Sequence, residues 1–250
     1  MKNLIVILTV VLFVSCIKMS DGVDSYCSCE QLLDTTGLKL YPFAPFTDEE
    51  WRLMSYDYKL ERRQIPEDFL RGMTTKELFY QVVYTDLSKS MVVFNTMQQG
   101  FEAVTKQLNM LPELLNRLDA GHVLLEIQQK VDPAKIEGSD CWWFDYCLQI
   151  ISAQSELINH MTEKDIDDYI NLQIRCLKKD YSVRKDYPAS AKLRLFGLGN
   201  IMIRYEYDPF MQTLGKNPVT NEMFWDTQRI SEQYALQIIN YVEQFKNSKK

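Results

Sequence analysis

Asp68-Phe69-Leu70-Arg71-Gly72-Met73-Thr74 is echoed by Glu113-Leu114-Leu115-Asn116-Arg117-Leu118-Asp119, and again by Glu156-Leu157-Ile158-Asn159-His160-Met161-Thr162. Each copy holds an acidic residue, two apolar residues, two variable ones, a third apolar residue and a residue suited to cap a helix. Met73 and Leu118 are 45 residues apart, Leu118 and Met161 43. The segments that follow agree. Leu78, Val123 and Ile166 fall at matching places, as do Val82, Ile127 and Ile170 one helical turn later. Such a period belongs to HEAT- or armadillo-type arrays, in which stacked helical hairpins bury one continuous core. The expectation is an all-α chain, with residues 42–250 forming one repeat domain closed by two longer C-terminal helices.

Local signals point the same way. Glycine and proline are scarce, nine and eight in 250 residues, so few positions interrupt helices. Pro66, Pro112 and Pro188 each open an apolar periodic segment, where a missing N–H costs nothing. Thr47-Asp48-Glu49-Glu50 and Thr74-Thr75-Lys76-Glu77 have capping-box spacing. Thr162 precedes Glu163 and Asp165, which place negative charge on a positive helix end, and Asp119 suits a cap for 120–131. These signals predict helices near 48–57, 66–72, 75–84, 86–97, 100–109, 112–118, 120–131, 140–158, 163–178, 189–206 and 220–246. No alternating pair joined by Asn-Gly or Asp-Gly signals a hairpin.

The first sixteen residues carry an address. Lys2 precedes the mostly apolar Leu4–Val14, and Phe13-Val14-Ser15-Cys16 reads as a bacterial lipobox. At about 1.5 Å per residue, that apolar run crosses only about half of a roughly 30 Å hydrocarbon core. The expectation is a signal peptide at 1–15, acylation of Cys16, and a lipid-anchored tether over 16–41. The competing reading has ordinary cleavage nearby, with Cys16 lost or left as a thiol.

Removing 1–15 leaves 235 residues, enough for one sizeable domain. An apolar share of 46% with 25% charged residues argues against disorder, and a formal charge of −6 gives no reason to expect nucleic acid. Beyond Cys16 stand Cys27, Cys29, Cys141, Cys147 and Cys176, an odd number without the spacing of a disulfide framework. Cys27 and Cys29 are too close to pair with each other. Cys141 and Cys147 lie about 240° apart round a helix. The plain reading of Cys141, Cys147 and Cys176 is buried thiols, although the sequence does not fix the oxidation state of any of the five.

Gln64-Ile65-Pro66-Glu67-Asp68-Phe69-Leu70-Arg71-Gly72-Met73-Thr74-Thr75-Lys76-Glu77-Leu78 resembles a group of exported proteins of Bacteroidetes-type bacteria, as do Gln99-Gly100-Phe101 and Leu114–Ala120. The resemblance covers roughly residues 42–135. It implies an exported, lipoprotein-like helical protein and supplies no catalytic residue, since the group has no established activity. Tyr84-Thr85-Asp86-Leu87 departs from it, because similar proteins carry an Asn-Tyr-Pro-Leu turn there.

Candidate chemistry is sparse. His122, with Asp119 and Glu126 nearby on one helix, reads as a surface pair, and His160 fills a variable slot of the repeat. No metal-protease His-Glu pair, serine-hydrolase elbow or nucleotide loop is present, and Gly197-Leu198-Gly199 lacks the third glycine. Asp167-Asp168 and Glu49-Glu50 sit in first helical turns, where the dipole explains them. Tyr205, Tyr207, Phe210, Phe224 and Trp225 read as core. Trp142, Trp143, Phe144 and Tyr146 are more suggestive. Trp142 and Tyr146 share a face with Trp143 about 100° away, so these three rings are candidates for a sugar- or peptide-stacking groove, against the plainer reading of core packing between repeats. No catalytic residue, metal or cofactor is assigned. The expected function is a membrane-tethered, non-enzymatic module binding a protein, peptide or glycan of the cell envelope. The alternative is a hydrolase of envelope polymers or glycans built on scattered carboxylates.

Overall fold

Short helices follow one another because caps recur every few residues. The structure, a computed structural model, describes residues 27–45, 47–136, 138–184, 189–216 and 232–249. The proposed signal peptide, Cys16, Pro188, Phe224 and Trp225 lie outside them. The helices are α1 (Cys29–Leu33), α2 (Asp48–Leu53), α3 (Tyr56–Glu61), α4 (Glu67–Gly72), α5 (Thr75–Val83), α6 (Met97–Thr105) and α7 (Met110–Asn116). They continue with α8 (Ala120–Gln128), α9 (Ser139–Ser152), α10 (Ser155–His160), α11 (Glu163–Arg184), α12 (Ala189–Arg204), α13 (Asp208–Lys216) and α14 (Glu232–Ser248). Asp86–Val93 forms a 3₁₀ segment rather than the expected α-helix. Among the described residues there is no strand, only an isolated bridge between Cys27 and Val131. The chain is predominantly helical.

Both expected capping boxes form, at Thr47/Glu50 and Thr74/Glu77. Thr162 and Asp165 make the same reciprocal pair of bonds. Two expected helices break where a residue leaves the helical region. Ser55 accepts from the Tyr58 N–H and starts α3, while Gln154 adopts extended backbone and separates α9 from α10. Asp119 precedes α8 without capping it. Its carboxylate accepts from the Thr75 hydroxyl at 2.6 Å instead.

The three short helices α4, α7 and α10 end alike. The N–H groups of Met73, Arg117 and Met161 donate to the carbonyls of Leu70, Leu114 and Ile158, and all three residues have extended backbone. Those positions are 44 residues apart each time. Leu118 therefore does not share the place of the two methionines. Met73 and Met161 are buried, whereas Leu118 is 79% exposed, because it is an extra residue between α7 and α8. Arg117 takes the equivalent position and sends its guanidinium back to the Leu70 carbonyl. One extra residue converts a constant 44 into the 45 and 43 read from the sequence.

Bonds between elements recur at nearly that separation. Asn109 exchanges bonds with the Ile65 backbone at 44 residues, and Gln173 donates to Gln128 at 45. His122 and Asp165, each three residues past a cap position, meet at 2.9 Å across 43. Close packing needs small residues: a Cβ on Gly100 of α6 would lie 1.8 Å from the Met91 carbonyl oxygen.

Two groups of apolar side chains form the interior. One gathers α4 to α9 with the N-terminal arm, joined by Leu157 of α10 and Leu193 of α12; the other gathers α10 to α14, joined by Leu125 of α8. A closed circuit of polar side chains ties α8, α9, α11 and α12 together. Arg194 donates to Asp145 and Gln173, Gln173 to Gln128, Gln128 to Gln149, and Gln149 to Asp145, all at 3.0–3.1 Å. All five residues are buried. Enclosed ions survive only with such partners.

Candidate functional site

The site begins with a segment expected to be tether. Residues 27–41 pack onto the domain. Leu32 is buried, and Leu33, Leu38, Leu40 and Tyr41 lie against the same core. Cys29 forms a disulfide with Cys141, their Cα atoms 5.9 Å apart, and the Cys27 N–H donates to the Lys130 carbonyl at 2.8 Å. The reading of Cys141 as a buried thiol is thus corrected. Pairing across 112 residues leaves no local signal in the sequence. Cys147 and Cys176 are buried outside that bridge, and burial pushes the Cys147 thiol well above its ordinary pKa. The alternation Leu38-Lys39-Leu40-Tyr41 was the available clue to an extended, half-buried arm.

One face of α5 holds this arm. Glu77 accepts from the Lys39 N–H at 2.7 Å and Gln81 from the Tyr41 N–H at 2.6 Å. Tyr80 donates to the Leu32 carbonyl and Tyr84 to the Leu33 carbonyl. Alternate residues of an extended strand are about 6.6 Å apart and residues one turn apart on a helix about 6.0 Å, so the two ladders match. Every one of these bonds goes to arm backbone, so it reads conformation and not side-chain identity. Burial pushes the Tyr80 hydroxyl up to about 12, which keeps it a donor. Burial by itself would raise the Glu77 pKa, but the Thr74 and Lys39 N–H groups outweigh it and hold the carboxyl below its usual range.

Where the arm ends, a cleft of about 380 Å³ opens, lined by Phe43, Ala44, Pro45, Trp51, Arg63, Tyr84 and Asp86. Arg63 is buried and lies 5.1 Å from the Phe43 ring and 5.0 Å from the Trp51 ring. It pairs with Asp86 at 2.9 Å and reaches the Ala44 carbonyl at 3.5 Å. A guanidinium held between aromatic faces and a carboxylate is fixed in orientation. Asp86 stays largely exposed while it lines the cleft and holds Arg63. None of these residues was singled out from sequence for binding, because the arm, α2, α3 and the 3₁₀ segment meet only in the fold.

The expected stacking platform is only partly available. Tyr146, Trp142 and Trp143 form a three-ring cluster, with the Tyr146 centroid 5.3 Å from each indole and the two indoles 6.4 Å apart. Trp143 donates to the Val83 carbonyl at 3.0 Å, and both Trp143 and Tyr146 are buried. Only Trp142, 38% exposed, offers a ring to solvent. Side chains three and four residues apart on a helix meet, so Tyr146 reaches both indoles.

His122 is better connected than its helix suggested. Its Nδ1 meets Asp165 at 2.9 Å and its Nε2 lies 3.4 Å from Glu126. The Asp165 hydrogen bond raises the imidazole pKa. The Thr162 hydroxyl donates to the same Asp165 carboxylate at 2.7 Å, which the helix cap explains. Among the described residues no three His, Cys, Asp or Glu side chains are grouped to hold a metal, and no helix is long and apolar enough to cross a membrane. Comparison with family models, curated proteins and solved structures finds no match to the chain.

Proposed function

We propose that the protein is an exported bacterial lipoprotein whose helical domain is a non-enzymatic binding module for an extended peptide segment of an envelope protein. The cleft at the end of α5 carries this reading. Its aromatic walls and fixed Arg63–Asp86 pair adjoin a helix face that already grips an extended chain through backbone bonds. Tyr84 belongs to both, donating to the arm and lining the cleft. Aromatic grooves beside backbone-reading side chains suit extended peptides.

The domain is a HEAT/armadillo-like stack in this proposal. Three helix ends with the same bond 44 residues apart support it, as do bonds between successive units at 43–45. Export and acylation of Cys16 rest on the order of residues 1–16, and the Cys29–Cys141 disulfide is at home in an oxidising compartment.

Capture of envelope proteins and peptides on the intact lipoprotein tests the binding role. Trp51→Ala should abolish capture, while Leu118→Ser, an exposed position away from the cleft, should leave it unchanged. Capture indifferent to Trp51→Ala, binding of glycans alone, or turnover of a glycan or peptide library would overturn the proposal.

A further inference from the structure

We propose that the face around Trp142 rests on a lipid surface, the membrane to which Cys16 is anchored. This inference rests on the lipoprotein reading above. The first link is length. Cys16 lies eleven residues before Cys27, and a fully extended chain of that length spans at most about 40 Å. The second is where that chain meets the domain. The Cys27 N–H is bonded to Lys130, and Cys29 is covalently joined to Cys141 at the start of α9. The tether therefore ends beside the residue that precedes Trp142.

Trp142 is held rigidly there. Its ring stacks on Tyr146 and leaves 38% of the residue exposed, so presenting the indole costs little further ordering. Tyr84, 46% exposed, lies close by, since Trp143 donates to the carbonyl of its neighbour Val83 and its hydroxyl bonds Leu33. Exposed tryptophan and tyrosine are the side chains that settle at the lipid–water boundary. The charges around them are mixed. Lys130 and Lys135 are exposed, as is Glu30, while Asp34 and Asp140 act on Tyr84. An attraction to anionic lipid is thus not the basis of docking, and the indole is. The acyl anchor supplies attachment and a high local concentration; Trp142 sets orientation.

The test uses the purified lipidated protein in vesicles containing lipids brominated near the headgroup. Bromine should quench tryptophan emission, and Trp142→Phe should remove most of that quenching in neutral and anionic vesicles alike. Trp51→Phe should leave it in place. A protein whose N-terminal peptide shows acylated Cys16, yet whose quenching is unchanged by Trp142→Phe or confined to anionic vesicles, overturns the docking face alone. A mature N-terminus without acylated Cys16 overturns the anchor and this inference with it.

Discussion

Replacing Arg194 by methionine probes the buried circuit directly. Arg194 and Asp145 are each 1% exposed and 3.1 Å apart, so neither charge has water to fall back on. Arg194→Met leaves the carboxylate with only the bond from Gln149 and strips Gln173 of its donor. Breaking such a pair from one side costs about 3–5 kcal/mol. Asp145→Leu strands the guanidinium and the Gln149 amide at a similar cost. If the two losses were independent, the double variant would lose about 6–10 kcal/mol, comparable to the whole stability of a domain. They share one interaction, so the double variant should lose much less. Removing both charges is close to neutral, which leaves the unsatisfied Gln149 and Gln173 groups at about 1–3 kcal/mol each. Urea unfolding of the four proteins gives the coupling energy, expected at about 3 kcal/mol or more. Additive losses, or a single-variant loss below about 1 kcal/mol, would show that the circuit does not hold the four helices together.

Four further outcomes follow from individual contacts. Joint replacement of Cys29 and Cys141 by serine opens a closure of 112 residues and should lower stability by about 4–5 kcal/mol; an unchanged urea midpoint would refute this. Glu77 has a depressed pKa, so its hold on the arm is complete above the unfolded value of about 4.5 and fades as pH falls through the folded one. The protection factor of the Lys39 amide should fall in that acid window, and should be low at neutral pH in Glu77→Ala. The His122 pKa is raised, so its contribution is full below about 6.5 and fades as pH rises through the folded value. Its NMR titration should lie above 6.5 and move down in Asp165→Asn. Gly100→Ala forces a methyl group onto the Met91 carbonyl and should cost about 1–3 kcal/mol; a neutral result would mean that α6 and the 3₁₀ segment are not in close contact.

The helices were legible because their signals are local. Thr74 with Glu77 and Thr47 with Glu50 each complete a cap within four residues, and the chain needs nothing distant to form it. The motif that suggested repeats was legible too, but with a one-residue error. Leu118 matches Met73 by letter, whereas Arg117 matches it by backbone. Apolar character alone cannot tell a buried C-cap from an exposed inserted residue. Ser55 and Gln154 were missed as breaks for a related reason. A single residue leaving helical backbone scarcely disturbs the hydrophobic periodicity on either side.

The site was illegible because it is made of separations. Phe43, Trp51, Arg63 and Asp86 come from four segments, and none carries a motif by itself. Residues 27–41 show the same limit more sharply. Ser28, Thr35, Thr36 and the charges at Glu30, Asp34 and Lys39 fit a solvated tether, yet the arm is held because its backbone meets a helix of matching pitch. Glu77 and Gln81, one turn apart, face Lys39 and Tyr41, two strand residues apart. That match depends on spacing in two elements at once and makes no use of the exposed Lys39 side chain. It follows that Lys39→Ala should leave amide protection at those positions largely in place. Pro in place of Lys39 removes the donated N–H and should free the arm. Equal loss of protection in Lys39→Ala would mean that the arm is read by its side chains, and the peptide-binding proposal would lose its basis.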